Sequence, residues 1–394
     1  MNRLKNFFYP KTIAVIGASN NPEKVGNILM KKLEFFKGKV IPINPYREEI
    51  NNKKTYPSVL KYPKKIDLAI IAIPAESVNK VLVECGKKKI KNVIIISAGF
   101  SETGNEKLEK ELISTAKKYK MQILGPNCFG VANPYSNLDS TFSNFNVSFK
   151  KGNIAFISQS GALFSYISDF SKNKFSGFVS LGNQAMLTFT DFINYFNKDK
   201  KTKKIILYIE RLKQGKEFIK ACQKSKKPII VVKAGKTKEG TKATLSHTGS
   251  LATDYRIYKG AFKQAKVKVV DSLAEAFSIK PEKIKIKNKK IIIITNAGGP
   301  ASLLADKLSK QGKEIKIKDL LGTASAENYK KALRKIKSNA KLLVVLTPQR
   351  MSQPLETAKI LPKKAIACFL GDKSVRSAIK ILKNKGIKYY TKCC

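Results

Sequence analysis

Three times along the chain an apolar run runs into a turn of small residues and then into a helical pattern. Thr12-Ile13-Ala14-Val15-Ile16 leads to Gly17-Ala18-Ser19-Asn20, and Asn153-Ile154-Ala155-Phe156-Ile157 leads to Ser158-Gln159-Ser160-Gly161-Ala162. Ile291 to Ile294 leads to Thr295-Asn296-Ala297-Gly298-Gly299-Pro300-Ala301. Unbroken apolar runs of this length suit strands covered on both faces, and strand, turn and helix in repetition are the pattern of parallel α/β units. Further strand candidates fill each block: Val40 to Ile43, Leu68 to Ile73 and Val93 to Ile96, then Ile205 to Ile209 and Ile229 to Val232, then Leu342 to Leu346 and Ile366 to Leu370. Lysine-rich joints at Phe149-Lys150-Lys151-Gly152 and Lys283 to Lys290 separate them. The pattern predicts an α/β protein of three doubly wound units, at 1–147, 148–284 and 285–394, and 394 residues are more than one core usually organises.

Composition narrows the function classes. The longest apolar runs, such as Val93 to Ile96, are too short to span a bilayer, so no membrane association is expected. The opening MNRLKNFFYPK lacks the apolar core of a secretory signal. Six scattered cysteines without a C-x-x-C pair argue against a zinc site and a disulfide framework, and fit a reducing, cytoplasmic setting. Cys393-Cys394 is read as having no role. The formal charge of +49 would ordinarily suggest nucleic acid. However, only seven of the 77 basic residues are arginine, the residue suited to bidentate phosphate recognition, and the lysines spread over the whole length. They read as a solvated coat that raises encounter rates with anionic metabolites, and nucleic-acid binding is not expected.

In doubly wound sheets ligands sit at the carboxyl ends of strands, with phosphates at helix N-termini. Gly17-Ala18-Ser19-Asn20, followed by Lys24 and Gly26, has that placement. It is not the dinucleotide fingerprint, because G-x-G-x-x-G is absent. The second strand ends in Pro42-Ile43-Asn44-Pro45, with no acid for a ribose diol. A nicotinamide dehydrogenase is disfavoured. A nucleotide with bulky phosphates and no free ribose diol, of which coenzyme A is one, is left open by this turn. Ile73-Pro74-Ala75, Ser97-Ala98-Gly99 and the loop Gly125-Pro126-Asn127-Cys128-Phe129-Gly130 could line the same crevice. In the second block Ser158-Gln159-Ser160-Gly161 offers another oxyanion-friendly helix start, and Glu210 ends a strand at the same edge. His247, the only histidine, lies among small and hydroxyl residues in Leu245-Ser246-His247-Thr248-Gly249-Ser250-Leu251. Imidazole is a neutral nucleophile near pH 7, so this is a candidate covalent phosphate carrier, with Glu210 able to accept its other ring N–H. The stretch from Lys233-Ala234-Gly235-Lys236-Thr237 to His247 reads as a mobile loop. No metal site is expected.

The segments IAVIGASNNPEKVG, PINP, ISAGFSETG, GPNCFGV, ISQSGAL, SLGNQA, YIE, VVKAGKT, LSHTGSLA, TNAGGPA, LTPQ and ACFLG occur in this order. In them the chain resembles the nucleoside-diphosphate-forming acyl-CoA ligases of the succinyl-CoA synthetase superfamily, most nearly the α subunits of ADP-forming acetate–CoA ligases. The resemblance covers nearly the whole chain. It implies an N-terminal Rossmann-like CoA-binding domain followed by two flavodoxin-like doubly wound domains. CoA would be held by Gly17 to Asn20, Lys24, Asn44, Pro45, Ile73, Pro74, Ser97, Ala98, Gly99 and Asn127. Phosphate would be held by Ser158, Gln159, Ser160 and Gly161. His247 would be phosphorylated, with Glu210 in support. Acyl-CoA, ADP and phosphate would yield acid, CoA and ATP. No ATP-grasp domain is apparent, so ADP/ATP and Mg2+ are expected on a β subunit of a hetero-oligomer, α2β2 by analogy.

Three departures from the family pattern stand out. Arg211 follows Glu210 where glycine is usual, the stretch Glu314 to Leu320 is short, and the end at Tyr389 to Cys394 comes early, as if the third domain were trimmed. They keep a second reading alongside the enzyme: a non-enzymatic CoA- or acyl-CoA-binding regulatory module.

Overall fold

The computed structural model describes residues 3–143, 149–170, 174–248, 254–322, 324–336 and 338–394, with the side chains of 245–248 and 350 outside the description. The first block forms β1 (Thr12–Ile16), β2 (Lys39–Ile43), a small antiparallel hairpin of β3 (Glu49–Ile50) and β4 (Lys53–Lys54), then β5 (Leu68–Ile71), β6 (Asn92–Ile95) and β7 (Gln122–Leu124). Its main sheet runs β2-β1-β5-β6-β7 with every pair parallel. The second sheet contains β8 (Val131–Asn133), β9 (Leu138–Asp139), β10 (Lys150–Ser158), β11 (Lys174–Ser180), β12 (Lys204–Ile209), β13 (Ile229–Lys233) and β14 (Lys268–Val270). Its order is β14-β13-β12-β10-β11-β8-β9, and only β8 and β9 are antiparallel to their neighbours. The chain thus enters the second sheet at β8, ahead of the Phe149–Gly152 joint. The third sheet, β16-β15-β17-β18-β19, comprises β15 (Lys290–Thr295), β16 (Glu314–Asp319), β17 (Lys341–Leu346), β18 (Ile366–Phe369) and β19 (Lys388–Tyr390). The short Glu314 to Leu320 stretch forms a complete edge strand, in register with β15 from Lys290 to Thr295.

The parallel strands of all three sheets repeat one topology. The opening strand (β1, β10 or β15) lies between the strand that follows it and the next one after that. The winding direction reverses beside this opening strand, which leaves a crevice at its carboxyl end. That is why the same small-residue turn recurs after β1, β10 and β15: each must carry the backbone across a crevice. The strands are buried on both faces, as Ala14-Val15-Ile16 and Ile205 to Ile209 illustrate. One apolar cluster joins a face of the first sheet to the second, through Ile13, Val15, Phe189, Phe192 and Leu207. Another joins the second to the third, through Phe156, Tyr208, Leu304 and Val345. Among the described residues no helix is long and apolar enough to cross a membrane.

Two expectations are corrected. The stretch ahead of the histidine is not a loop: backbone hydrogen bonds form a helix over Lys238–Thr248, started by Thr237 and packed against the helix Gly298–Ser309. Small residues such as Gly240, Ala243 and Thr244 read as loop-like in sequence, but here they let two helices approach closely. Nor are all the cysteines free. Cys368 in β18 is bonded to Cys393 just beyond β19, because neighbouring parallel strands bring these positions together across 25 residues of sequence.

Candidate functional site

The turn after β1 must pass close beneath the end of β5. Gly17 has φ +88°, and a Cβ there would fall 2.3 Å from the Ala72 carbonyl oxygen. Gly26, in the helix Val25–Lys32, comes so near that its Cβ would lie 1.9 Å from the Gly17 oxygen. Two glycines therefore press the helix start against the strand end, leaving a shallow backbone-lined wall. The Asn44 side-chain amide donates to the Ala18 carbonyl at 2.9 Å, and the Ser97 hydroxyl accepts the Ile73 N–H at 3.1 Å, so the ends of β2, β1, β5 and β6 are fixed to one another. Gly17, Ala18, Ser19, Lys24, Asn44, Pro45, Ile73, Pro74, Ser97, Ala98 and Asn127 all line one cleft of about 1960 Å³. Asn20 and Gly99 are not in that lining. Asn20 bonds instead to Glu49 and Asn51 of the hairpin, and Gly99 donates to Glu102 at 2.6 Å.

The same cleft continues to Gln159, Ser160, Gly161 and Glu210 in the second sheet and to Asn296, Ala297 and Gly298 in the third. Ser158 lies beneath the lining, fully buried, its hydroxyl donating to the Ser160 carbonyl at 2.6 Å. Gly161 packs on the loop from the first sheet, and a Cβ there would meet Phe129 Cβ at 2.0 Å. Gln159 has a different role from the one its sequence suggests. Its Oε1 accepts the N–H groups of Glu210 (2.6 Å) and Arg211 (2.8 Å), so it holds the end of β12. Glu210 is only 4% exposed. Behind it, burial pushes the Tyr208 phenol well above its ordinary pKa, and the Glu210 carboxylate adds to this. The neutral Tyr208 hydroxyl donates to the Gly299 carbonyl at 3.2 Å. Arg211 lines the cleft beside Glu210.

Sequence reasoning gave the third turn no site role, yet it faces the second directly. A Cβ on Gly299 would fall 2.5 Å from Ser160 Oγ, so the start of the 12-residue helix Gly298–Ser309 abuts the Ser158 to Gly161 turn. Thr295 prepares that start: its hydroxyl accepts the Ala297 N–H at 2.9 Å. Two helix N-termini, each with free N–H groups, thus converge on one part of the cleft, beside a buried carboxylate. The signal was present, since the third turn repeats the pattern of the first two.

Also unread were Asn183, whose amide donates to Glu102 (2.5 Å) and Glu109 (2.9 Å) on the cleft wall, and Lys213 beside them. Burial, ahead of any neighbouring charge, lowers the Lys213 pKa. Asp306 of the helix Gly298–Ser309 accepts the N–H groups of Gly235, Lys236 and Thr237, each at 2.8 Å. It thereby holds the entrance to the helix that carries His247 in its last turn. The His247 side chain, and residues 249–253 after it, lie outside the described residues.

Residues 11–134 match the family described as CoA binding domain, and residues 151–280 the succinyl-CoA ligase like flavodoxin domain. The chain is 36% identical to the alpha subunit of ADP-forming acetate–CoA ligase I of Pyrococcus furiosus, over 98% of this chain and 94% of that one. It is 40% identical to ADP-forming acetate–CoA ligase I of Archaeoglobus fulgidus, but there its 98% coverage corresponds to only 61% of the relative's length. Among solved structures, the dinucleotide-forming acetyl-coenzyme A synthetase 1 of Candidatus Korarchaeum cryptofilum, determined with phosphate and ADP, superposes with a TM-score of 0.66. That match is at 33% identity and covers 99% of this chain and 94% of that one.

Proposed function

The chain belongs to the ADP-forming acetate–CoA ligase family, and on that footing we propose that it is the α subunit of an acyl-CoA ligase that conserves thioester energy as ATP. Three functional units, one for each sheet, divide the work. The observation that carries the reading is the meeting of two helix starts, Gly299 against Ser160, beside Glu210 in a cleft continuous with the Gly17 wall.

Coenzyme A lies along Gly17 to Ser19, Lys24, Asn44, Pro45, Ile73, Pro74, Ser97, Ala98 and Asn127, with its thioester end toward Ser160. Orthophosphate is held where the Ser158 to Gly161 turn and the helix start at Gly298 meet. A phosphate oxygen attacks the thioester carbonyl, the C–S bond breaks, and the CoA thiolate leaves and takes a proton. A ring nitrogen of His247 then attacks phosphorus, and the acid leaves as its carboxylate. Glu210 accepts the N–H of the other ring nitrogen and steadies the charged phosphohistidine. The phosphoryl group finally passes to a terminal oxygen of ADP, giving ATP, and every step is reversible. Among the described residues no three His, Cys, Asp or Glu side chains are grouped as a metal ion would need, so we derive no step through Mg2+ on this chain. An ATP-grasp β subunit is the partner to which the magnesium nucleotide falls, in an α2β2 assembly of the cytoplasm. Acetate is the default acid.

The test is labelling with radioactive orthophosphate and acetyl-CoA in the presence of an ATP-grasp partner. Acid-labile, alkali-stable label on the wild type and none on His247→Asn is the expected result. No label across several acyl-CoAs, with tight acyl-CoA binding retained, would replace this reading with the non-enzymatic CoA-binding module.

A further inference from the structure

Lys233 is the last residue of β13 and is only 2% exposed. It does not line the cleft. Its Nζ donates to the backbone carbonyl of Glu210 at 2.9 Å and to that of Ala234, and stands 4.3 Å from the centroid of the Tyr258 ring. An ammonium removed from water this completely needs compensating negative charge. The carboxylates that act on it come from two different sheets: Asp306, on the helix Gly298–Ser309, and Glu210, at the end of β12. Lys236 is the opposing cation, and Tyr258 covers the remaining side.

These partners mark the two ends of a lever. At one end Lys233 grips the carbonyl of Glu210. Immediately after it, Gly235, Lys236 and Thr237 give their N–H groups to Asp306, and the Thr237 hydroxyl adds a fourth bond at 3.0 Å. Gly240, one turn into the helix Lys238–Thr248, sits so close that a Cβ would lie 1.9 Å from Asp306 Oδ1. Glu239 accepts a further bond from Ser309 at 2.6 Å. The root of the His247 helix is thus held to the third sheet through Asp306, and to the Glu210 strand end through Lys233.

We propose that Lys233 is a positioning residue for phosphoryl transfer, fixing the Glu210 strand end relative to the Asp306-held root of the His247 helix. The assignment rests on the phosphohistidine reading above. It touches neither substrate nor the reacting atoms, so its removal slows the formation of phosphoenzyme without weakening CoA binding at the Gly17 wall. It also supplies a pH signature. Burial lowers its pKa to about 8, with Asp306 and Glu210 opposing that shift and Lys236 reinforcing it. The clamp therefore loses its charge as pH rises through this value.

The experiment measures the rate of phosphoenzyme formation from acetyl-CoA and labelled phosphate between pH 6.5 and 9.5, approximately the range around that titration. Wild type and Lys233→Met are compared, each with the ATP-grasp partner, alongside CoA affinity. The expected result is a rate about 10- to 100-fold lower in Lys233→Met, with CoA affinity within roughly twofold and the alkaline fall seen in wild type gone. A wild-type rate and an intact alkaline fall in Lys233→Met would overturn the assignment. So would losses of rate and CoA affinity in equal proportion, which would mark a merely structural lysine. Should Lys233→Met fail to fold, Lys233→Gln is measured in its place, and a wild-type rate in that variant overturns the proposal. No label on wild type at any pH would instead bring down the phosphohistidine reading, and this inference with it.

Discussion

The seam between the first and second sheets and the seam between the second and third are built from different materials. At the first, the N-terminal helix Lys5–Phe8 drives rings against the helix Phe189–Lys198: Phe8 stacks on Tyr195 at 4.4 Å and meets Phe196 edge-on at 5.2 Å. At the second, apolar packing is supplemented by carboxylates, Asp169 and Asp306 buried and Glu282 half-buried, that accept backbone N–H groups from across the seam. Asp169 takes those of Asp372 and Ser374, Glu282 those of Thr391 and Lys392, and Asp306 those of 235–237. Ring packing is tolerant of small displacements, whereas a carboxylate receiving several N–H groups fixes one backbone geometry. The difference fits a division of labour, in which the first seam holds the domains together and the second sets the position of the segment that carries His247.

The largest effect should come from removing a ring. Phe8→Ala should cost about 3–5 kcal/mol of stability, read from denaturant midpoints, while phosphoenzyme formation per folded molecule stays near wild type. Loss of labelling in that variant would break the comparison. Asp306→Ala should cost somewhat less, about 2–4 kcal/mol, because it strands buried donors rather than opening a large cavity. Unlike Phe8→Ala it should also slow phosphoenzyme formation, and equal labelling in the two variants would show that the second seam has no special relation to the reaction. The smallest effect is a pH dependence. Lys233 titrates near 8 in the fold and at its ordinary 10.5 when unfolded, so the unfolded chain binds more protons between those values. Stability contributed by this group therefore rises with pH across that window, by at most about 3 kcal/mol, and the rise should be missing from Lys233→Met. Denaturant titrations at pH 7, 9 and 10.5 would measure it.

Much of this architecture is legible without coordinates, because it follows from local rules. Runs such as Ile291 to Ile294 must be buried strands, and the small residues after Ile16, Ile157 and Ile294 must be crevice-spanning turns. Gly17 and Ser158 to Gly161 could be picked out for the same reason, and His247 because one nucleophilic imidazole stands alone in the chain. What stayed hidden depends on which turn meets which. The lysines read as a solvated coat, and for most of them that is a fair account, but Lys233 is a buried clamp indistinguishable in sequence from its neighbours. Asp306 looks like a solvent-facing helix acid until the entrance to the helix Lys238–Thr248 is laid across it. Cys368 and Cys393 carry no spacing signal, since their pairing comes from two adjacent strands.

By itself, then, the amino-acid sequence determined the strands, the crevice-spanning turns and the chemical character of the candidate nucleophile, since periodicity, glycine and imidazole act within a few residues. Only the tertiary structure decided that the third turn faces the second across Gly299 and Ser160, and that a lysine and an aspartate from different sheets hold the root of one helix. Contacts over such separations arise when sheets pack face to face, and burial then turns ordinary surface-type charges into fixed partners.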